Sequence, residues 1–206
     1  MRAKVLLVVA RAEQYEVGYA ETHRRLSEAL ELFDRTGDRR QMGRVLHTMA
    51  YLSLDADELE IADAEAGRCI AIANELEHPI GQAVACVVQV WVAIERGDLV
   101  RARTLLAQTI ATARDSGYQA LIAYCVAARA ALAAAEGDDG EGARLLGALS
   151  RAGGSLGGEG ASAVRKRIAN LSAAIEAKLG AERFAAFASE GAGLTLEEIA
   201  ATPLTA

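Results

Sequence analysis

Few residues in this chain are of types that do chemistry, and their spacing decides what they can do. His47 is the histidine best placed to act as an acid or a base, because an imidazole exchanges protons near neutral pH. No Ser, Cys or carboxylate stands near it at a spacing that marks a catalytic partner. His23 falls on a polar stretch and His78 precedes Pro79 in a turn, so both are expected in solvent. Glu28, Glu31, Asp34 and Glu58 fall on helix faces or at helix starts, where carboxylates serve solubility and capping. Cys69, Cys86 and Cys125 lie far apart without CxxC or Cys/His ligand spacing. They read as buried free thiols in a reducing cytoplasm, and no metal site is expected. The run Arg165-Lys166-Arg167 lies within a helical pattern, so its three side chains point in different directions and form a solvated face. The stretch Gly153-Gly154-Ser155-Leu156-Gly157-Gly158-Glu159-Gly160 is glycine-rich enough for a phosphate cradle but lacks the Lys-Ser/Thr pair such a loop needs. The sequence therefore points to no catalytic residue, no cofactor and no enzyme.

Composition sets the frame for these residues. The chain has 206 residues, 52% of them hydrophobic, two prolines, 4% aromatics and a net charge of −6. Alanine, leucine and valine supply most of the apolar count, which favours helices and an all-α fold. The acidic balance disfavours phosphate backbones, so direct nucleic-acid binding is not expected. No apolar run approaches the roughly 20 residues of a membrane span, and the short apolar N-terminus lacks a signal-peptide cleavage site.

Sliding the sequence on itself by 40 reveals an internal repeat. Gly97-Asp98 recurs as Gly137-Asp138, and Gly37 and Gly117 lie 80 apart with Glu77 midway. Each unit reads as two helices. Gly43, Leu46, Ala50 and Ser53 share one face of the first helix, repeated by Ala83, Cys86, Val90 and Ala93 and by Ala123, Val126, Ala130 and Ala133. Ala102, Leu105, Leu106, Thr109 and Ile110 form the face of a second helix. A lone hairpin leaves apolar faces in water, so stacking into a solenoid is expected. Repeats over 1–152 are followed by a glycine-rich loop and capping helices over 153–206, as one domain. In that cap, Val164, Ile168, Leu171, Ile175 and Leu179 form a stripe, Phe184 and Phe187 anchor a short helix, and Thr195 with Glu198 makes a capping box.

The stretches Val17-Gly18-Tyr19-Ala20, Phe33-Asp34-Arg35-Thr36-Gly37-Asp38 and Arg96-Gly97-Asp98-Leu99-Val100-Arg101-Ala102 resemble tetratricopeptide-type repeats of the longer, near-40-residue variant. That variant occurs in large actinobacterial regulators, LuxR-family and related ATPase-containing transcription factors. Ala143-Arg144-Leu145-Leu146-Gly147-Ala148, Leu179-Gly180-Ala181-Glu182-Arg183-Phe184 and Gly193-Leu194-Thr195-Leu196-Glu197-Glu198 are similar to the endings of such regulators. The usual large aromatic early in the first helix is replaced by Leu46, Cys86 and Val126.

The resemblance implies a right-handed α-solenoid whose first helices line a concave groove. Its inward positions would be Arg44, His47 and Tyr51, then Val84, Val87 and Trp91, then Tyr124, with Lys4, Leu7 and Arg11 in a partial first copy. Such a stripe suits an acidic peptide or a small acidic or aromatic molecule. The alternative is that Trp91 and Tyr51 only pack between hairpins. The implied role is a cytoplasmic, non-enzymatic regulatory module; the alternatives are a small-molecule-binding protein or enzyme that uses the groove as its pocket, or a purely structural oligomerisation segment. At the N-terminus, Val5, Leu6 and Val9 belong to a stretch that is apolar on all sides. It is expected either to meet a second copy or an upstream domain, or to tuck under its own neighbouring helix.

Overall fold

Helices of near-equal length follow one another along the sequence because a left-handed residue recurs at a fixed interval. Gly37, Asp57, Glu77, Gly97, Gly117 and Gly137 have φ of 68°, 60°, 49°, 73°, 63° and 93°. A left-handed residue after the last turn ends a helix by satisfying its terminal carbonyls. The following residue starts the next helix: Asp38, Asp98 and Asp138 accept from the backbone N–H of Gln41, Arg101 and Glu141. Turns within a hairpin and turns between hairpins thus share one geometry, and the 40-residue repeat is two 20-residue steps.

The computed structural model describes residues 3, 6–8, 17–152, 156 and 161–204. Val5 and Val9, Lys4 and Arg11, and the glycine-rich loop apart from Leu156 lie outside the described residues. The helices are α1 (Tyr19–Arg35), α2 (Arg39–Asp55), α3 (Leu59–Glu75), α4 (Pro79–Glu95), α5 (Leu99–Ser116), α6 (Gln119–Ala135), α7 (Asp139–Arg151), α8 (Ala161–Leu179), α9 (Ala181–Gly191) and α10 (Leu196–Ala201). No strand occurs among the described residues. The protein is all-helical, with helices packing on their sequence neighbours as in a helical repeat. No helix among the described residues is long and apolar enough to cross a membrane.

Two compact units divide the chain, Met1–Val88 and Gln89–Ala206. In the first, α1 packs on α2 and α2 on α3. Leu26, Ala29, Leu30 and Phe33 of α1 meet Met42, Val45, Leu46 and Met49 of α2, with Cys69 and Ile72 of α3. Burying each large aliphatic of this set contributes roughly 1.5–3 kcal/mol. Leu7 joins the same core at 4% exposure and Leu6 packs partly buried against it, whereas Val8 stands exposed. Within the described N-terminal residues, Leu6 and Leu7 therefore cover their own unit's helices.

In the second unit α5 packs on α6 and α6 on α7, while α8, α9 and α10 close against them. The capping box of α10 is complete: Thr195 Oγ1 accepts from Glu198 N–H at 3.2 Å and the Glu198 carboxylate accepts from Thr195 N–H at 2.8 Å. Arg167 departs from the solvated face expected of the basic run, being 6% exposed and 3.4 Å from Glu95. Arg165 and Lys166 do remain exposed.

Glu77 is an exposed, non-glycine residue at φ 49°, a conformation that crowds its Cβ. Glu77→Gly is expected to stabilise the protein by up to about 1 kcal/mol, because relief of the left-handed Cβ crowding outweighs glycine's greater chain entropy, read as a higher urea midpoint. An unchanged or lower midpoint contradicts this account of the turn.

Candidate functional site

Helix α2 carries the best-defined candidate surface. At 100° per residue, Arg40, Arg44, His47, Tyr51 and Leu54 fall on one face, and their exposure falls steadily along it. Arg40 and Arg44 are exposed, His47 is half-buried, Tyr51 is 3% exposed and Leu54 is fully buried. The Tyr51 hydroxyl donates to the Val84 carbonyl of α4 at 3.2 Å. Its ring meets His47 edge-on, with centroids 5.0 Å apart and planes at 66°. The tyrosine is fixed at both ends and holds the imidazole beside the two arginines.

The arginines stand out by electrostatics. Many other helix-surface arginines of this acidic chain are matched: Arg24 and Arg25 bind Glu21, Arg39 binds Glu75, Arg103 binds Glu136 and Arg144 binds Glu141 and Glu190. Arg68, Arg114 and Arg183 are exposed without an ion pair among the described residues but stand singly. Arg40 and Arg44 make no ion pair and no side-chain hydrogen bond among the described residues. Two adjacent unmatched cations, one helical turn apart, create a local positive field against the net charge of −6.

The remaining groove residues are placed differently. Val84 is half-buried, and Val87, Trp91 and Tyr124 are 0%, 2% and 3% exposed. The Trp91 indole N–H is buried without a hydrogen-bond partner among the described residues. Within the first unit, then, Arg44, His47, Tyr51 and Val84 come together, and of these only Arg44 is exposed.

A second polar cluster was not visible in the residue pattern. His23, expected in solvent, is half-buried on α1, and its Nε2 lies 2.7 Å from the Glu65 carboxylate on α3. The other Glu65 oxygen accepts from the Ser53 hydroxyl of α2 at 2.7 Å. Ser53 Oγ in turn lies 3.3 Å from the Tyr19 hydroxyl, whose ring is 5.4 Å from that of His23. Burial pushes the Tyr19 phenol above its usual range, the Ser53 hydrogen bond opposes that, and the Glu65 and Glu58 carboxylates add to it. Glu65 is 4% exposed and Ser53 fully buried. The carboxylate lies between the hydroxyl and the imidazole, so it ties three helices together and the order differs from a hydrolase triad, in which the imidazole touches the serine. The signal that finds Glu65 is a carboxylate in the small, apolar face Ala62, Ala66, Cys69 and Ala73, where the repeats 40 and 80 residues on have Leu105 and Leu145.

The second unit buries a cation for a structural purpose. Arg129, 8% exposed, donates to the Ile199 and Thr202 carbonyls at 3.0 and 2.8 Å, closing the C-terminal end of α10. Burial pulls its pKa down and the nearby Glu141 carboxylate partly restores it.

All three cysteines are buried and none forms a disulfide, and no cluster of potential metal ligands occurs among the described residues. Compared with known proteins, the chain matches no family model, no curated protein and no solved structure.

Proposed function

We propose that this protein is a non-enzymatic helical-repeat interaction module that recognises an acidic peptide segment through the exposed end of the α2 face. Arg40 and Arg44 would meet the carboxylates, with His47 and Val84 providing a partly apolar shelf behind them. One observation carries the reading: two arginines one helical turn apart are left unmatched beside a fixed His47–Tyr51 pair, in a chain whose net charge is −6. Arginine suits this task because its planar fork binds carboxylates through two parallel hydrogen bonds. In this reading the hairpins are of tetratricopeptide type and wind right-handedly within each unit. A regulatory role, in a reducing cytoplasm, is what the sequence resemblance adds.

Fluorescence anisotropy with labelled acidic decapeptides tests the proposal. Binding should weaken steeply with added salt, and Arg40→Glu/Arg44→Glu should reduce affinity by about tenfold or more. Both positions are exposed, so thermal stability should change by less than about 0.5 kcal/mol. Equal affinity of the double variant, or binding indifferent to salt, overturns it.

A further inference from the structure

In the first unit, α1, α2 and α3 enclose an open cleft of about 370 Å³, a size suited to a small ligand. Its base is apolar, made by Leu30 of α1, Met42 and Leu46 of α2 and Ile72 of α3, each at most 7% exposed. Its rim is charged, with Glu31 and Asp34 on α1, Arg39 on α2 and Arg68 on α3. The α2 residues that line it point well away from the Arg44–His47 face. The cleft is therefore a separate surface and stands independently of peptide binding.

The rim has donor capacity to spare. Arg39 gives Nε and Nη2 to Glu75, at 2.7–3.0 Å, but its Nη1 meets only the Met42 thioether sulfur, at 3.7 Å. Thioether sulfur is a weak acceptor, and an anionic oxygen is a far better one. Arg68 is exposed and makes no ion pair or side-chain hydrogen bond among the described residues. On the α1 wall, the Asp34 carboxylate accepts no hydrogen bond among the described residues, and it lies within electrostatic reach of Arg39. Opposite signs thus sit side by side above an apolar base. A simple anion would be repelled by Asp34 and Glu31, and a simple cation by the two arginines.

We propose that this cleft binds a small zwitterion with an apolar side chain, of the α-amino-acid class. The ligand carboxylate faces Arg39 Nη1 and Arg68, the ammonium faces Asp34 and Glu31, and the side chain lies on Leu30, Met42, Leu46 and Ile72. Titration of the ¹⁵N-labelled full chain with L-leucine and L-phenylalanine, followed by NMR, tests it. The expected result is saturable shifts of amides around Met42 and Ile72. N-acetyl-L-leucine, lacking the ammonium, and L-leucine amide, lacking the carboxylate, should each bind about tenfold more weakly or worse. Arg68→Ala should lower leucine affinity about tenfold and leave the melting temperature unchanged, because the side chain is exposed and unmatched. Arg40→Glu/Arg44→Glu should leave leucine binding intact, which separates this site from the peptide surface. Absence of saturable shifts, equal binding of either derivative, or unchanged binding by Arg68→Ala overturns the proposal.

Discussion

Alanine at Gly191 is expected to destabilise the protein by about 3 kcal/mol, and alanine at Gly147 by a similar amount. Helices α7 and α9 approach so closely that each uses a glycine to admit the other's backbone. A Cβ on Gly191 would collide with the Arg144 carbonyl, and one on Gly147 with the Ala188 carbonyl. Gly140 extends the seam, since a Cβ there would lie 3.1 Å from the Phe187 ring. Backbone atoms of a packed helix cannot rotate aside as a side chain does, so relief requires separating the helices and opening voids along the contact. An interior Gly→Ala change ordinarily gains about 1 kcal/mol in helix propensity, which makes a net loss at Gly147 diagnostic of the collision. Gly43→Ala provides the contrast. Its Cβ would meet only the Ile72 Cγ2 methyl, at 3.3 Å, a group that can shift. It should therefore be near-neutral, within about 1 kcal/mol. Urea unfolding of the three variants checks this, and a Gly191→Ala protein as stable as the parent would refute the seam.

What the sequence makes legible here is whatever depends on local chemistry. Gly97 and Asp98 announce a helix end and a helix start because an αL cap and an aspartate N-cap act within four residues of their own position. The small-residue faces of α2, α4 and α6 follow from spacing alone, and Leu46, Ala50, Val90 and Ala130 are all buried. Asp57 is harder to recognise, because the same left-handed turn is made there by a residue that pays for it in strain. Distance along the chain hides the rest. Arg167 reads as a surface charge until the Glu95 carboxylate, 72 residues away, is placed against it, and nothing near Arg129 in the sequence marks the Ile199 carbonyl, 70 residues on, as its acceptor. The glycines of α7 and α9 have no partner in the sequence at all, because their function lies in a helix crossing. Aromatic residues such as Tyr51 and Trp91 present a further ambiguity. Ring type and helical phase are the same for a residue that packs and one that receives a ligand, and only exposure separates Arg44 from its buried neighbours.

Glu65→Ala is expected to cost about 3 kcal/mol, more than the loss of its own contacts suggests. The carboxylate satisfies a buried hydroxyl on α2 and an imidazole nitrogen on α1 at once. Its removal leaves Ser53, with no solvent access, bonded only to the Tyr19 hydroxyl at 3.3 Å. It also opens a void between three helices. The repeat itself suggests the compensating change, since the positions 40 residues beyond Ser53 and Glu65 are Ala93 and Leu105. In Ser53→Ala/Glu65→Leu both buried polar partners are replaced by apolar groups that another copy already packs. Replacing a buried polar pair by matched apolar residues is often neutral or stabilising, whereas breaking it on one side is not. The double variant should therefore recover most of the loss, ending within about 1 kcal/mol of the parent, and His23 can turn its freed nitrogen to water because its side chain is 25% exposed. Urea unfolding of both variants and of Ser53→Ala alone measures the coupling directly. A double variant no more stable than Glu65→Ala would mean that Glu65 acts through something other than the Ser53 and His23 bonds.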